Sequence, residues 1–129
     1  MAGVYIHIPF CKQACHYCNF YFSTTFEKYR SELVAALVQE MKLKSLLFKG
    51  KEVETIYFGG GTPSLLIEEE FRTIFNGLKE SFKIGKVEEV TIEANPDDVT
   101  VENLAIWQSY GINRLSLGVQ SFFEDDLEQ

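Results

Sequence analysis

No run of apolar residues in the sequence approaches the roughly 18 that a membrane-spanning helix needs, so no spanning segment is expected. Positive charge is scarce as well. Twelve Lys and Arg stand against 19 Asp and Glu, a net charge of −7, which argues against general binding to nucleic acid or to an anionic membrane. Small anionic ligands can still be met through backbone groups. The opening residues, Met1-Ala2-Gly3-Val4-Tyr5, lack a positively charged start ahead of an apolar stretch, so no secretory leader is read there. Low-complexity segments are missing, and cysteine is limited to Cys11, Cys15 and Cys18. An odd, tightly clustered set without a leader is a poor disulfide framework. It reads better as thiolate ligands in a reducing, cytoplasmic compartment.

What remains is ample for one packed domain. Of 129 residues, 46% are hydrophobic and 14% aromatic, which is enough to build a core and too much for a disordered chain. Val4-Tyr5-Ile6-His7-Ile8 is β-branched and aromatic and is stopped by Pro9, as a strand would be. After the cysteine loop, Thr24 with Glu27 offers a capping box. Tyr29, Leu33, Leu37 and Met41, with Val34 and Val38, then form one apolar helical face, and Gly50 is a plausible stop. Val53–Phe58 is the second strand. A second helix follows Gly59-Gly60-Gly61-Thr62-Pro63, with Ser64 as its expected cap and Phe71, Ile74, Phe75, Leu78 and Phe82 as its buried stripe. Val87–Ala94 is the third strand. Thr100 opens a short helix bearing Leu104 and Trp107, which Gly111 closes. Asn113–Val119 is the fourth strand, and Ser121 caps a further helix start.

Regular alternation of strand and helix implies right-handed crossovers and an α/β fold with a parallel sheet, covered by helices and apolar on both faces. A barrel or open sheet of this type has more units than these, so the expectation is that residues 1–129 are the N-terminal part of a longer protein.

In parallel α/β folds, ligands bind beyond the carboxyl ends of the strands. The unusual residues fall at that end of each strand: the cysteines after the first, the glycine run after the second, Glu93 closing the third and Gln120 after the fourth. Cys-x3-Cys-x2-Cys is the most specific signal. Structural zinc and closed iron–sulfur sites usually take four protein ligands. Three thiolates favour a [4Fe–4S] cluster with one iron open to an exogenous ligand. A zinc site completed by His7 or His16, or three plain buried cysteines, are the competing readings. The glycine run lets backbone approach a ligand and supplies N–H groups to a carboxylate or phosphate, or else it is only a tight turn. It matches neither a Walker loop nor G-x-G-x-x-G. Glu93 suits ribose hydroxyls if it is not merely a solvated strand end, and Gln120 carries the same alternative. Tyr5 and Tyr17 flank the cysteine loop and could pack on a purine, although core aromatics are commoner. His7 reads as a hydrogen-bonded core histidine.

Together, Tyr5-Ile6-His7-Ile8-Pro9-Phe10-Cys11, the Cys-x3-Cys-x-Tyr-Cys loop, Tyr57-Phe58-Gly59-Gly60-Gly61-Thr62-Pro63-Ser64, Thr91-Ile92-Glu93-Ala94-Asn95-Pro96 and Gly111–Phe122 resemble the radical S-adenosylmethionine (SAM) enzymes. More narrowly, they resemble the oxygen-independent coproporphyrinogen III dehydrogenases and their heme-chaperone relatives. The resemblance implies an incomplete parallel barrel of six strand–helix units, of which this chain supplies three and the start of a fourth. It implies that Cys11, Cys15 and Cys18 hold a [4Fe–4S] cluster whose free iron takes the amino and carboxylate groups of SAM. It also implies that Gly60, Gly61 and Thr62 contact SAM, that Glu93 binds its ribose, that Gln120 adds a polar contact, and that Tyr5 and Tyr17 line the pocket. An electron from the cluster would then cleave SAM to methionine and a 5′-deoxyadenosyl radical. One departure separates the branches. The dehydrogenases carry a further cysteine two residues after the third, where this chain has Phe20. That is the pattern of the heme-chaperone branch, which binds heme and is thought to pass it to acceptor proteins; coproporphyrinogen decarboxylation is the alternative activity.

Overall fold

The computed structural model describes residues 2–10, 24–48 and 50–117, with side chains in the first helix described from Lys28 onward. Four parallel strands lie in the order β1-β2-β3-β4. They are β1 (Ala2–Ile8), β2 (Glu52–Gly60), β3 (Lys83–Ala94) and β4 (Arg114–Leu117). The helices α1 (Thr24–Lys44), α2 (Glu68–Ser81) and α3 (Val101–Ser109) each link one strand to the next. Short 3₁₀ turns at Pro63–Leu65 and Pro96–Asp98 lead out of β2 and β3. This is the expected α/β arrangement.

Among the described residues, the apolar core gathers on one face of the sheet. Ile6 and Ile8 of β1, Ile56 and Phe58 of β2, and Val90 and Ile92 of β3 are buried together with Val34 and Met41 of α1, the α2 stripe Phe71, Ile74, Phe75 and Leu78, and Trp107 of α3. Phe58 meets Phe71 edge-on at 5.8 Å and Phe75 at 5.6 Å. Gly77 lets α1 approach: a Cβ there would sit 3.1–3.3 Å from Val38 and from the Met41 sulfur. The buried residues of α1, α2 and α3 are received by this face.

The other face corrects the expectation of a sheet apolar on both sides. With period-two alternation, β1 presents Tyr5 and His7, β2 presents Tyr57, β3 presents Glu89 and Glu93, and β4 presents Arg114 and Ser116. Tyr5 is 58% exposed, and Arg114 pairs with Glu89 across the strands. His7 is likewise exposed rather than a core histidine.

Several local expectations also change. The third strand begins at Lys83, because the β2–β3 register jumps from Val53↔Ile84 to Thr55↔Glu89 and the irregular stretch hides its start from a periodicity reading. Ser64 does not cap α2. Its hydroxyl instead donates to buried Asp98 at 2.7 Å, and the helix starts after Ile67, whose N–H is accepted by Glu70. Leu104 is 40% exposed, leaving Trp107 as the buried residue of α3. The first helix ends at Lys44 and passes into a 3₁₀ turn at Ser45–Phe48 instead of running to Gly50, and Tyr29 of its expected apolar face is exposed. At α3 both end signals hold: Thr100 accepts from the Asn103 N–H, and Gly111 closes the helix at φ +86°. The side chains of the Thr24–Glu27 box and the expected helix after Ser121 lie outside the described residues.

Candidate cofactor-binding site

The carboxyl ends of β2, β3 and β4 enclose a cleft of about 330 Å³ lined by Gly60, Gly61, Thr62, Glu93, Ala94, Asn95, Ser116 and Leu117. That size is at the lower end for small-molecule sites. Four of the residues singled out in the sequence (Gly60, Gly61, Thr62 and Glu93) therefore share one cavity. Tyr5 is not among its walls; it stacks on Tyr57 at 5.6 Å, one step back from the cleft. Tyr17, Gln120 and the three cysteines lie outside the described residues.

The glycine run behaves differently from expectation. The N–H groups of Gly60, Gly61 and Thr62, expected among those offered to an anion, are engaged within the protein. Gly60 N–H donates to Glu93 Oε1 at 3.1 Å, Gly61 N–H to the Ile8 carbonyl at 2.8 Å, and Thr62 N–H to the Phe10 carbonyl at 2.6 Å. The last two bonds carry the β1–β2 pairing past the strand ends, fixing the segment that leads directly into Cys11. The glycines are required by closeness. At Gly59 a Cβ would lie 2.7 Å from the Tyr5 hydroxyl. Gly60 combines φ +108° with the His7 ring 2.7 Å from where its Cβ would be. At Gly61 a Cβ would collide with the Phe10 carbonyl oxygen.

Glu93 is the polar centre. Its Oε2 accepts from the Tyr57 hydroxyl at 2.7 Å and its Oε1 from Gly60 N–H. A carboxylate offers about four acceptor positions, so roughly two remain for a ligand, the number a vicinal diol needs. The Tyr57 phenol is pushed above its ordinary value, chiefly by its hydrogen bond to Glu93 and then by burial, while a hydrogen bond with Ser116 acts in the opposite direction. Behind the cleft, Ser64 and Asp98 tie the turn after β2 to the turn after β3. Arg30 of α1 reaches Glu70 with two nitrogens and the Leu65 carbonyl with one, and its guanidinium lies 4.5 Å from the centre of the Phe10 ring. These contacts hold the walls from outside.

The residues present fit a ribose-bearing ligand: a partly free carboxylate at Glu93 beside a stretch of wall, Gly60–Gly61, that carries no side chains. The sequence reading missed Tyr57, Ser116 and Asn95. The signal for Tyr57 was available in principle, since it stands two residues before Gly59 and so shares a face with it.

A second hollow of about 450 Å³ lies along the edge of β1 beside α1, lined by Tyr5, His7, Leu37, Glu40, Met41 and Phe48 among others. The carboxylate in its lining, Glu40, is paired with Lys44, and Gly60, Gly61 and Thr62 are not among its walls.

The model of the radical SAM superfamily matches residues 5–128. The chain belongs to that superfamily. It is 40% identical over 131 residues to the heme chaperone HemW of Bacillus subtilis (strain 168), covering 100% of this chain and 34% of that protein. It is 38% identical over 128 residues to the heme chaperone HemW of Escherichia coli (strain K12), covering 98% and 34%. Among solved structures, it is similar to the coproporphyrinogen III oxidase HemN from Escherichia coli, described as a radical SAM enzyme. The TM-score is 0.76 at 31% identity, covering 91% of this chain and 27% of the other. This radical SAM chain thus spans about a third of the length of the curated relatives it matches. No helix among its described residues is long and apolar enough to cross a membrane.

Proposed function

We propose that this chain holds a [4Fe–4S] cluster through Cys11, Cys15 and Cys18, binds SAM beside it, and serves a cytoplasmic heme chaperone that passes heme to acceptor proteins. One observation carries the reading. Phe10, the residue immediately before Cys11, gives its carbonyl to Thr62 N–H at 2.6 Å, so the chain enters the cysteine motif at the wall of the Glu93 cleft. A cluster with an open iron and a nucleoside cofactor must sit side by side, and this pinning supports that neighbourhood.

The cluster and SAM, when bound, supply one-electron cleavage of a carbon–sulfur bond, chemistry beyond any side chain. The protein's own residues bind and orient. Glu93 accepts from the ribose hydroxyls, and Gly60 and Gly61 give a wall close enough for the ligand to lie against. Thr62 holds Phe10, the residue ahead of Cys11. By the resemblance, Tyr17 and Gln120 would add further contacts to the cofactor, while Tyr5 supports Tyr57 from behind. Phe20 favours the chaperone branch, because the dehydrogenases carry cysteine at that position. Oxidative decarboxylation of coproporphyrinogen III is the second reading, supported by the likeness to HemN.

The test uses the full-length protein reconstituted under anaerobic conditions. Iron and sulfide near four each per chain are expected, as the cluster formula requires, and Cys15→Ala should lose the cluster. Zinc without sulfide would overturn the cluster assignment in favour of a zinc-stabilised module. Stoichiometric heme uptake, release to an acceptor and no protoporphyrinogen from coproporphyrinogen III support the chaperone; turnover of coproporphyrinogen would establish the dehydrogenase instead.

A further inference from the structure

We infer that Tyr57 is a positioning residue for the ribose-binding carboxylate, so that selectivity for a ribose over a deoxyribose ligand depends on a residue that does not line the cleft. The inference rests on the reading of Glu93 given above and extends it to a residue outside the cavity walls.

The geometry points this way in three respects. A glutamate at a strand end has three rotatable side-chain bonds, and a half-exposed carboxylate would ordinarily sample several rotamers. Here both oxygens are fixed, one by the Tyr57 hydroxyl at 2.7 Å and one by Gly60 N–H at 3.1 Å. The two donors approach different oxygens, so they set the plane of the carboxylate as well as its place. The remaining acceptor positions are then presented as a pair, the arrangement that two adjacent hydroxyls require.

Tyr57 is itself held. Its ring stacks on Tyr5 at 5.6 Å with planes 14° apart, and Tyr5 in turn lies over Gly59. Register explains the convergence. Tyr5, Tyr57 and Thr91 are direct neighbours across three strands, while Glu93 and Ser116 are paired one step further toward the carboxyl end. A tyrosine is long enough to reach across that step. Hydrogen bonds in such a chain strengthen one another, and a donor to a charged acceptor is among the stronger kinds. Tyr57 therefore lowers the ordering cost that a ribose would otherwise meet on binding.

The experiment measures binding, not turnover. S-adenosylhomocysteine and its 2′-deoxy analogue are titrated calorimetrically into the full-length, cluster-reconstituted protein and into Tyr57→Phe, Glu93→Ala and the double variant. Tyr57→Phe removes a single oxygen from a half-buried ring, so the thermal melt should be nearly unchanged. The ribose ligand is expected to bind Tyr57→Phe about 5- to 10-fold more weakly, the effect of one ordinary net hydrogen bond. The deoxy ligand should be little affected. In the Glu93→Ala background the tyrosine substitution should have no further effect, because its target is gone. Equal weakening of both ligands, or an additive loss in the double variant, would show a merely structural role and overturn the inference. If wild-type protein binds the ribose ligand and Tyr57→Phe binds it equally well, the inference fails while the functional reading stands. If wild-type protein binds neither ligand, both fail together.

Discussion

Replacing Gly61 by alanine tests how the cysteine segment is tied to the cleft. Gly61 needs no positive φ, so its requirement is spatial: an added Cβ meets the Phe10 carbonyl oxygen within clashing distance and lies 3.1 Å from the carbonyl carbons of Pro9 and Phe10. Backbone cannot swing aside as a side-chain tip would. The strain must be relieved by parting the two segments, which stretches the bonds from Gly61 to Ile8 and from Thr62 to Phe10. Overpacking costs about 1–3 kcal/mol, and each hydrogen bond contributes about 0.5–1.5 kcal/mol. A destabilisation of about 2–4 kcal/mol follows if the strain is partly relieved. Gly111→Ala is the control. It has φ +86° but open space around the missing Cβ, so only the conformational penalty of about 1 kcal/mol applies. Urea titration of both variants of the full-length protein, with iron content after reconstitution, checks the reasoning. Gly61→Ala should show the larger midpoint shift and also lose iron, while Gly111→Ala should keep its iron. A Gly61→Ala shift no greater than that of the control, with full iron retained, would falsify the claim that this contact organises the site.

Other substitutions probe the surrounding frame. Arg30→Ala leaves Glu70 without its guanidinium at a pair whose side chains are only 19% and 11% exposed, and should cost about 2–4 kcal/mol by chemical denaturation. Arg30→Lys should recover only part of this, since one ammonium cannot serve Glu70 in the two-nitrogen geometry while also reaching Leu65. Trp107→Ala empties a 2%-exposed site beneath the sheet and should cost about 3–5 kcal/mol. Thr100→Ala should lower stability by about 1 kcal/mol through loss of the α3 cap. In an alkaline titration, Tyr57 should ionise after ordinary tyrosines, as followed by phenolate absorbance in wild type against Tyr57→Phe. Because its folded value is raised, its contribution to stability is fully present below the ordinary tyrosine value near 10. It is lost as pH climbs through the higher folded value. An early phenolate signal that vanishes in Tyr57→Phe would contradict the Glu93 hydrogen bond.

Much of the fold was legible because its signals are local. The stripe Phe71, Ile74, Phe75 and Leu78 has a helical period and nothing else to do but face a sheet. Thr100 and Gly111 mark the ends of α3 through chemistry confined to one turn. Ser64 misled for a related reason. A serine ahead of acidic residues has the pattern of a cap, yet its hydroxyl found a stronger acceptor in Asp98, which is 34 positions away. The start of β3 was hidden by the irregular register opposite Val53–Thr55, which alternation cannot register. His7 carried no local mark of exposure, and the open face of the sheet is visible only once the helices are known to gather on the other.

The order of the described strands and helices, the rim that gathers Gly60, Gly61, Thr62 and Glu93, and the family itself were written in the amino-acid sequence, because periodicity, turn chemistry and short motifs act over a few residues. The tertiary structure decided which donors the glycine run still has to offer, and it found them already bound to Ile8, Phe10 and Glu93. It also brought Tyr57 to Glu93 across 36 positions of chain. Such partnerships depend on strand register, which is set by long-range pairing and packing and leaves no local trace in the residues it joins.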